Sequence, residues 1–219
     1  MKKKNFVVIG LGRYGKNVAI ALEKMNCEIL AIDNREDVIN DISKLVHHSV
    51  VADATKIDVL RELGVESIDH AVVAIGNNLE ASILAVSNLK QVGVKQITVR
   101  VDEENHKEIF KLLGASEIIL PEEAAAVELA NQICSDSILE YHAIAGNYEM
   151  VKLIVSKNFE SKSIIDLNIR NTYNVNIVGI IRDDKFFIPH SSDTINPLDI
   201  IVTAGEKNNI KKFTSFLEK

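Results

Sequence analysis

Across 219 residues there are only two cysteines and three prolines, no surplus of basic residues and no apolar run approaching a membrane span. Cys27 and Cys134 stand far apart and form no metal-ligand spacing. That excludes a disulfide framework and a cysteine-built metal site, and it fits a reducing compartment in which each is a small buried hydrophobe. The basic start MKKKNFVVIG carries too few apolar residues before its first glycine for a signal peptide. With no spanning segment, the expectation is a cytoplasmic protein, peripheral to a membrane only through a partner. A formal net charge of −6 argues against binding to nucleic-acid backbones, which calls for excess lysine and arginine. A small anion held locally stays open.

What is present is ordered alternation. Runs at 6–10, 28–33, 49–53, 70–75, 96–101 and 117–120 are rich in β-formers, and several are apolar without alternation, as strands buried on both faces of a parallel sheet should be. Between them KNVAIALEKM and EASILAVSNLKQV carry apolar residues at helical spacing. This order predicts an α/β, Rossmann-like, doubly wound parallel sheet. Pro121 suits a first helical turn and opens EEAAAVELANQICSDSILEYH, read as a helix with Ala125, Leu129 and Ile133 on one face. From about residue 136 the pattern changes to β-runs at 149–155, 176–181, 186–189 and 199–205, closed by a helix at 207–218. No Gly/Ser/Pro-rich linker intervenes. The reading is therefore a first domain over 1–135, including its connecting helix, and a small α+β domain over 136–219.

The segment VVIGLGRYGKN holds G-x-G-x-x-G as Gly10, Gly12 and Gly15, with Arg13 and Tyr14 after the second glycine. It follows a strand and precedes a helix, and Asp33, followed by Asn34, ends the next strand 18 positions after Gly15. Gly10 makes the tight turn, Gly12 lets backbone approach a phosphate, Gly15 lets helix and strand pack closely, and the helix N-terminus favours negative charge. Asp33 would accept hydrogen bonds from ribose hydroxyls, which disfavours a 2′-phosphate. Asp53, Ala54 and Thr55 end the third strand, where they border an adenine or, for Thr55, cap a helix. In AIGNN, Gly76 and Asn77 either meet the ligand through backbone or only make a turn.

Hydride transfer needs an acid or base beside the substrate oxygen, and no such set stands out in the rest of the chain. Tyr148-x-x-x-Lys152 has the spacing used by short-chain dehydrogenases on a helix, but it overlaps a predicted strand, where the two Cα atoms lie roughly 13 Å apart. His47, His48 and His70 fall at strand starts, away from the crevice, and His106, His142 and His190 are isolated. The residues thus point to a binding module, with a small NAD-dependent oxidoreductase as the alternative and a ligand-free oligomerisation module as a third reading.

FVVIGLGRYGKNVAIAL, ILAIDNREDVIN, VVADATKIDVLRELGV, AVVAIGNNLEASILAVSNLKQVGVKQITVRV and LLGASEIILPEEAAAVELA resemble, in order and spacing, the N-terminal RCK (KTN, TrkA-N) domain of bacterial potassium channels and transporters. The β-rich remainder resembles the RCK C-terminal (TrkA-C) domain, and the whole is similar to the KtrA-type subunits of Ktr uptake systems. The resemblance implies dimers assembled into an octameric ring beneath a KtrB-type membrane subunit that conducts potassium. ATP and ADP would change the ring's shape, with NAD(H) a possible competitor. It places Asp53 and Thr55 near adenine, Arg100 on a phosphate and Arg13 at a γ-phosphate, including that of the neighbouring subunit. It assigns Glu122 to a divalent cation such as Mg or Ca at the dimer interface; a favourable acid in a first helical turn is the alternative.

In the second domain the resemblance implies a cyclic di-AMP site. SIIDLNIRNTYNVNIVGI supplies Ile164, Ile165, Arg170, Asn176 and Ile177, with Pro189 a further member. Asn168 stands where the motif expects an acid and Asn174 where it expects glycine, although asparagine tolerates a left-handed turn. The alternative is that Ile164 and Ile165 are ordinary core residues.

Overall fold

The computed structural model describes residues 4–76, 78–134 and 136–218, and its contacts divide the chain into a unit ending at Glu122 and one beginning at Glu123. In the first, β1 (Asn5–Ile9), β2 (Glu28–Asp33), β3 (His48–Val51), β4 (His70–Val73), β5 (Gln96–Arg100) and β6 (Glu117–Ile119) alternate with α1 (Arg13–Lys24), α2 (Glu36–Ile42), α3 (Ile57–Glu62), α4 (Leu79–Val92) and α5 (Lys107–Leu112). The strands pair in parallel in the order β3-β2-β1-β4-β5-β6. The expected doubly wound sheet is present. Its apolar runs do not alternate because both faces are covered: Leu60, Val86, Leu89 and Phe110 pack on one side, Ala19, Ile39, Ile42 and Val46 on the other.

Strand order reverses between β1 and β4, where such sheets open a crevice beyond the strand ends. Gly10 crosses it with φ of 87°, and a methyl group there would lie 2.7 Å from the Ile75 nitrogen. At Gly15 a methyl would lie 1.9 Å from the Gly10 carbonyl oxygen. The two glycines let turn, helix and neighbouring strand meet backbone to backbone. The turn is so tight that α1 starts at Arg13, inside the motif, rather than at Lys16.

The connecting helix α6 (Pro121–Ile133) begins at the proline as expected but stops earlier. Residues 138–142, included in the expected helix, belong instead to β7 (Ile138–Ala145), which pairs antiparallel with β8 (Tyr148–Ile154) around Gly146, φ 56°. A two-residue hairpin loop and a ladder of cross-strand bonds outweigh the local helical pattern. The second unit continues through β9 (Lys162–Ser163), α7 (Ile164–Leu167), α8 (Ile169–Tyr173), β10 (Val175–Arg182), β11 (Lys185–Phe187), β12 (Thr194–Ile195), β13 (Ile200–Glu206) and α9 (Lys207–Leu217). Its main sheet runs β11-β10-β13-β8-β7 over a core of Val151, Leu153, Ile180, Ile201, Phe213 and Leu217. Helices α7 and α8 have no counterpart in the sequence reading. Asn168 and Asn174 bound α8 at φ 45° and 53°, the left-handed turns asparagine tolerates. No helix of the described residues is long and apolar enough to cross a membrane.

Candidate functional site

A cavity of about 470 Å³ opens at the carboxyl ends of β1 to β5, within the size range of small-molecule sites. Gly10, Gly12, Arg13, Tyr14, Asp33, Asn34, Asp53, Ala54, Thr55, Gly76, Arg100 and Glu122 line it. Gly15 works beneath it as the packing glycine, and Asn77 lies outside the described residues. The first-unit residues singled out in the sequence thus converge, Asn77 apart.

Gly12 caps α1 with no side-chain partner, and the helix has no acid in its first turn. Its leading N–H groups and Arg13 therefore offer positive potential to an anion. At the end of β2 Asp33 is buried, yet well supplied with donors. Its Oδ2 accepts the Leu11 N–H at 2.7 Å and its Oδ1 the Arg35 N–H at 3.0 Å, while the Arg35 guanidinium closes on both oxygens at 3.1 and 3.3 Å. Burial pushes this carboxyl up, but Arg35 and the two backbone donors outweigh it and hold it below the ordinary value. Arg35 was not singled out in the sequence; a cation two residues past the acid that ends β2 is the signal that could have found it.

Thr55 does not cap α3; Lys56 occupies the cap position without a side-chain bond. The Thr55 hydroxyl and N–H both donate to Asp53 Oδ1, at 2.6 and 3.0 Å. Those bonds, with Lys56 nearby, hold the Asp53 carboxyl low against its burial. The short Asx turn leaves its backbone carbonyls free for another donor: Asn88, on the buried face of α4, donates to Ala54 and Thr55 at 3.3 and 2.9 Å. Ser82, on the same helix, donates to Ile75 at 2.9 Å. Two polar residues on an otherwise apolar helix face thus fix two loops of the cavity, a role detectable only as polar positions needing buried partners.

Arg100 ends β5 with its side chain largely buried. One terminal nitrogen reaches Asp102 Oδ1 at 2.7 Å and Glu122 Oε1 at 2.8 Å. Tyr14 lies close enough for burial, Glu117 and Glu122 to raise its phenol against the opposing Arg100 charge. Histidines stay out of the lining: His70 bonds Thr98 at 2.8 Å, and His47 bonds Glu23. Tyr148 and Lys152 lie on β8 as expected, with the Lys152 ammonium paired to Glu140 at 2.8 Å.

In the second unit Ile164 and Ile177 pack against the core, whereas Ile165 is 64% exposed and Asn168, Arg170 and Asn176 are exposed. The Asn168 side chain accepts from Asn171. None of these residues, nor Pro189, lines the cavity above or a second one of about 910 Å³ in that unit.

The TrkA-N domain description matches residues 6–121 and the TrkA-C domain residues 149–218. Ktr system potassium uptake protein C of Bacillus subtilis (strain 168) is 35% identical over 212 residues, 96% of either chain. The chain belongs to the family of Ktr potassium uptake proteins. Ktr system potassium uptake protein A of the same organism is also 35% identical, over 97% of this chain and 96% of that protein. Among solved structures, the GsuK RCK domain superposes with a TM-score of 0.69 at 16% identity, over 100% of this chain and 48% of the other. That likeness concerns the fold, and this Ktr family chain spans about half the length of that solved chain.

Proposed function

We propose that this Ktr family member is a non-catalytic, cytoplasmic regulatory subunit that senses ATP against ADP and thereby gates a KtrB-type potassium-translocating membrane subunit. One observation carries the reading: the crevice at the β1/β4 switch point is lined together by Arg13, Arg100, the glycine turn that opens α1 and the Asp33 carboxylate at the end of β2. That set suits a nucleotide, with phosphates at Arg13, Arg100 and the α1 N-terminus and ribose at Asp33. The ribose diol would take over acceptors now held by Arg35. Arginine offers a fixed fork to phosphate oxygens, so Arg13 supplies the differential affinity for one more phosphate that a ligand-driven switch requires.

A divalent cation such as Mg or Ca would be held by Glu122, with Asp102 beside it on the same Arg100 nitrogen. Among the described residues no group of three or more acids, histidines or cysteines could hold a metal alone, so the ligand's own phosphates would complete the set. The exposed apolar residues Val127, Leu129 and Ile133 of α6 support assembly through a second copy, a homodimer building toward an octameric ring.

Titration calorimetry with ATP, ADP, NAD and NADH tests the proposal. ATP and ADP are expected to bind with different affinities, and Arg13→Ala is expected to erase that difference while leaving ADP affinity nearly unchanged. Equal loss of both nucleotides would reduce Arg13 to a folding role, and NADH-dependent reduction of a carbonyl substrate would replace the reading with an oxidoreductase. Cyclic di-AMP binding at Ile164, Ile165, Asn168, Arg170, Asn176, Ile177 and Pro189 is a separate proposal. It rests on the family resemblance, and on the exposure of Ile165 and Arg170, which a core role would not give. Saturable binding lost in Arg170→Ala supports it; no binding to the full chain at high micromolar ligand removes it.

A further inference from the structure

Arg100 is over-subscribed on one nitrogen and under-used on the others. Its Nε is buried without a partner, the sole such side-chain atom among the described residues. Nη1 lies over Gly76, where a methyl group would sit 2.9 Å away and push the guanidinium aside. Nη2 alone holds both Asp102 and Glu122. A guanidinium carries five N–H donors in a rigid fork, and here the unpartnered Nε belongs to a side chain that lines the cavity beside the glycine turn. Two carboxylates here stand against one guanidinium, so the Arg100 charge is already matched and a phosphate reaching it has to displace a partner.

We propose that Arg100 is a contested residue: the phosphate of a bound nucleotide and Glu122 compete for its guanidinium, and the outcome sets the hold on the first turn of α6. This rests on the nucleotide reading of the cavity. A phosphate taking the Nη1–Nη2 edge shares Nη2 with both carboxylates, sits close to them and repels them. Of the two, Glu122 yields, because its side chain is 66% exposed against 39% for Asp102 and it lies in the opening turn of a helix. The same charge balance gives a divalent cation its role: by neutralising Glu122 it removes the repulsion without needing Arg100. Binding couplings are reciprocal. If nucleotide loosens Glu122 from Arg100, then removing the Glu122 charge must tighten nucleotide binding by the same factor, about twofold to fivefold for a largely exposed pair.

The experiment compares full-length wild type, Glu122→Gln and Asp102→Asn by calorimetry with ATP and ADP in EDTA and again in magnesium, at low and physiological salt. Glu122→Gln should bind each nucleotide about twofold to fivefold tighter in EDTA, with the advantage shrinking in magnesium and in salt. Asp102→Asn should move in the same direction, which keeps the test decisive if Glu122→Gln folds poorly. In wild type, nucleotide in EDTA should speed amide exchange at residues 125–128, whose N–H groups bond to the first-turn carbonyls; in Glu122→Gln that exchange should already be fast. Wild type binding nucleotide while both variants bind equally or more weakly in EDTA would overturn this inference alone. No nucleotide binding to wild type would overturn the proposed function with it.

Discussion

Asp33 and Glu149 are both buried carboxyls, and their surroundings drive them in opposite directions. For Asp33 the donors outweigh burial, so its value in the fold lies below that in the unfolded chain. Its stabilising contribution is therefore complete above the ordinary carboxylate value and is lost as pH falls through the lowered one. Asp33→Asn should cost about 1–3 kcal/mol at neutral pH, and urea titrations should find the deficit shrinking in acid. Glu149, on β8, is raised because burial exceeds the help from the Tyr141 hydroxyl and from Lys207. The fold then holds its proton more tightly than the unfolded chain does, and stability falls as pH climbs from the ordinary value through the raised one. Glu149→Gln should raise the melting temperature at neutral pH and flatten its decline over that interval. At this scale the sequence located Asp33 but not its partner, since only the folded geometry brings the Arg35 guanidinium onto both carboxylate oxygens. Glu149 gave no signal, because nothing in its neighbourhood along the chain marks β8 as one of the inner strands of the sheet.

The strand-turn-helix at Gly10 to Lys24 was legible because its requirements are local: a positive φ at Gly10, no side chain at Gly15 and a helix N-terminus. Gly15→Ala should destabilise the chain by about 3 kcal/mol or more, since the new methyl meets backbone rather than a side chain that can turn away; chemical denaturation measures it. Asn88→Ala removes two bonds that hold the β3–α3 turn from α4. A loss of about 1–2 kcal/mol is expected, with adenine nucleotide affinity falling while the α1 end of the cavity keeps its affinity for inorganic triphosphate. Calorimetry with both ligands separates the two effects. The strand β7 escaped the sequence reading for the opposite reason: its ladder to β8 is a tertiary fact, and the helical pattern before it runs smoothly into the turn.

Among the described residues α6 is the longest helix without a buried residue, and Ile133 is 74% exposed. Ile133→Glu and Leu129→Glu should leave the melting temperature of the chain within about 1 kcal/mol of wild type in stability while lowering the mass seen by light scattering, if a second copy covers this helix. Unchanged mass would place assembly on another surface. The sequence by itself determined the fold class, the glycine turn and the acid at the end of β2, because strand burial, backbone freedom and motif spacing are properties of short stretches. Only the tertiary structure decided that Arg35 stands on Asp33, that Asn88 and Ser82 tie α4 to the cavity's loops, and that Arg100 answers to Asp102 and Glu122 at once. Those partnerships depend on which strand ends the parallel sheet brings side by side, and the sheet's order reverses at β1, so neighbours in space are not neighbours in sequence.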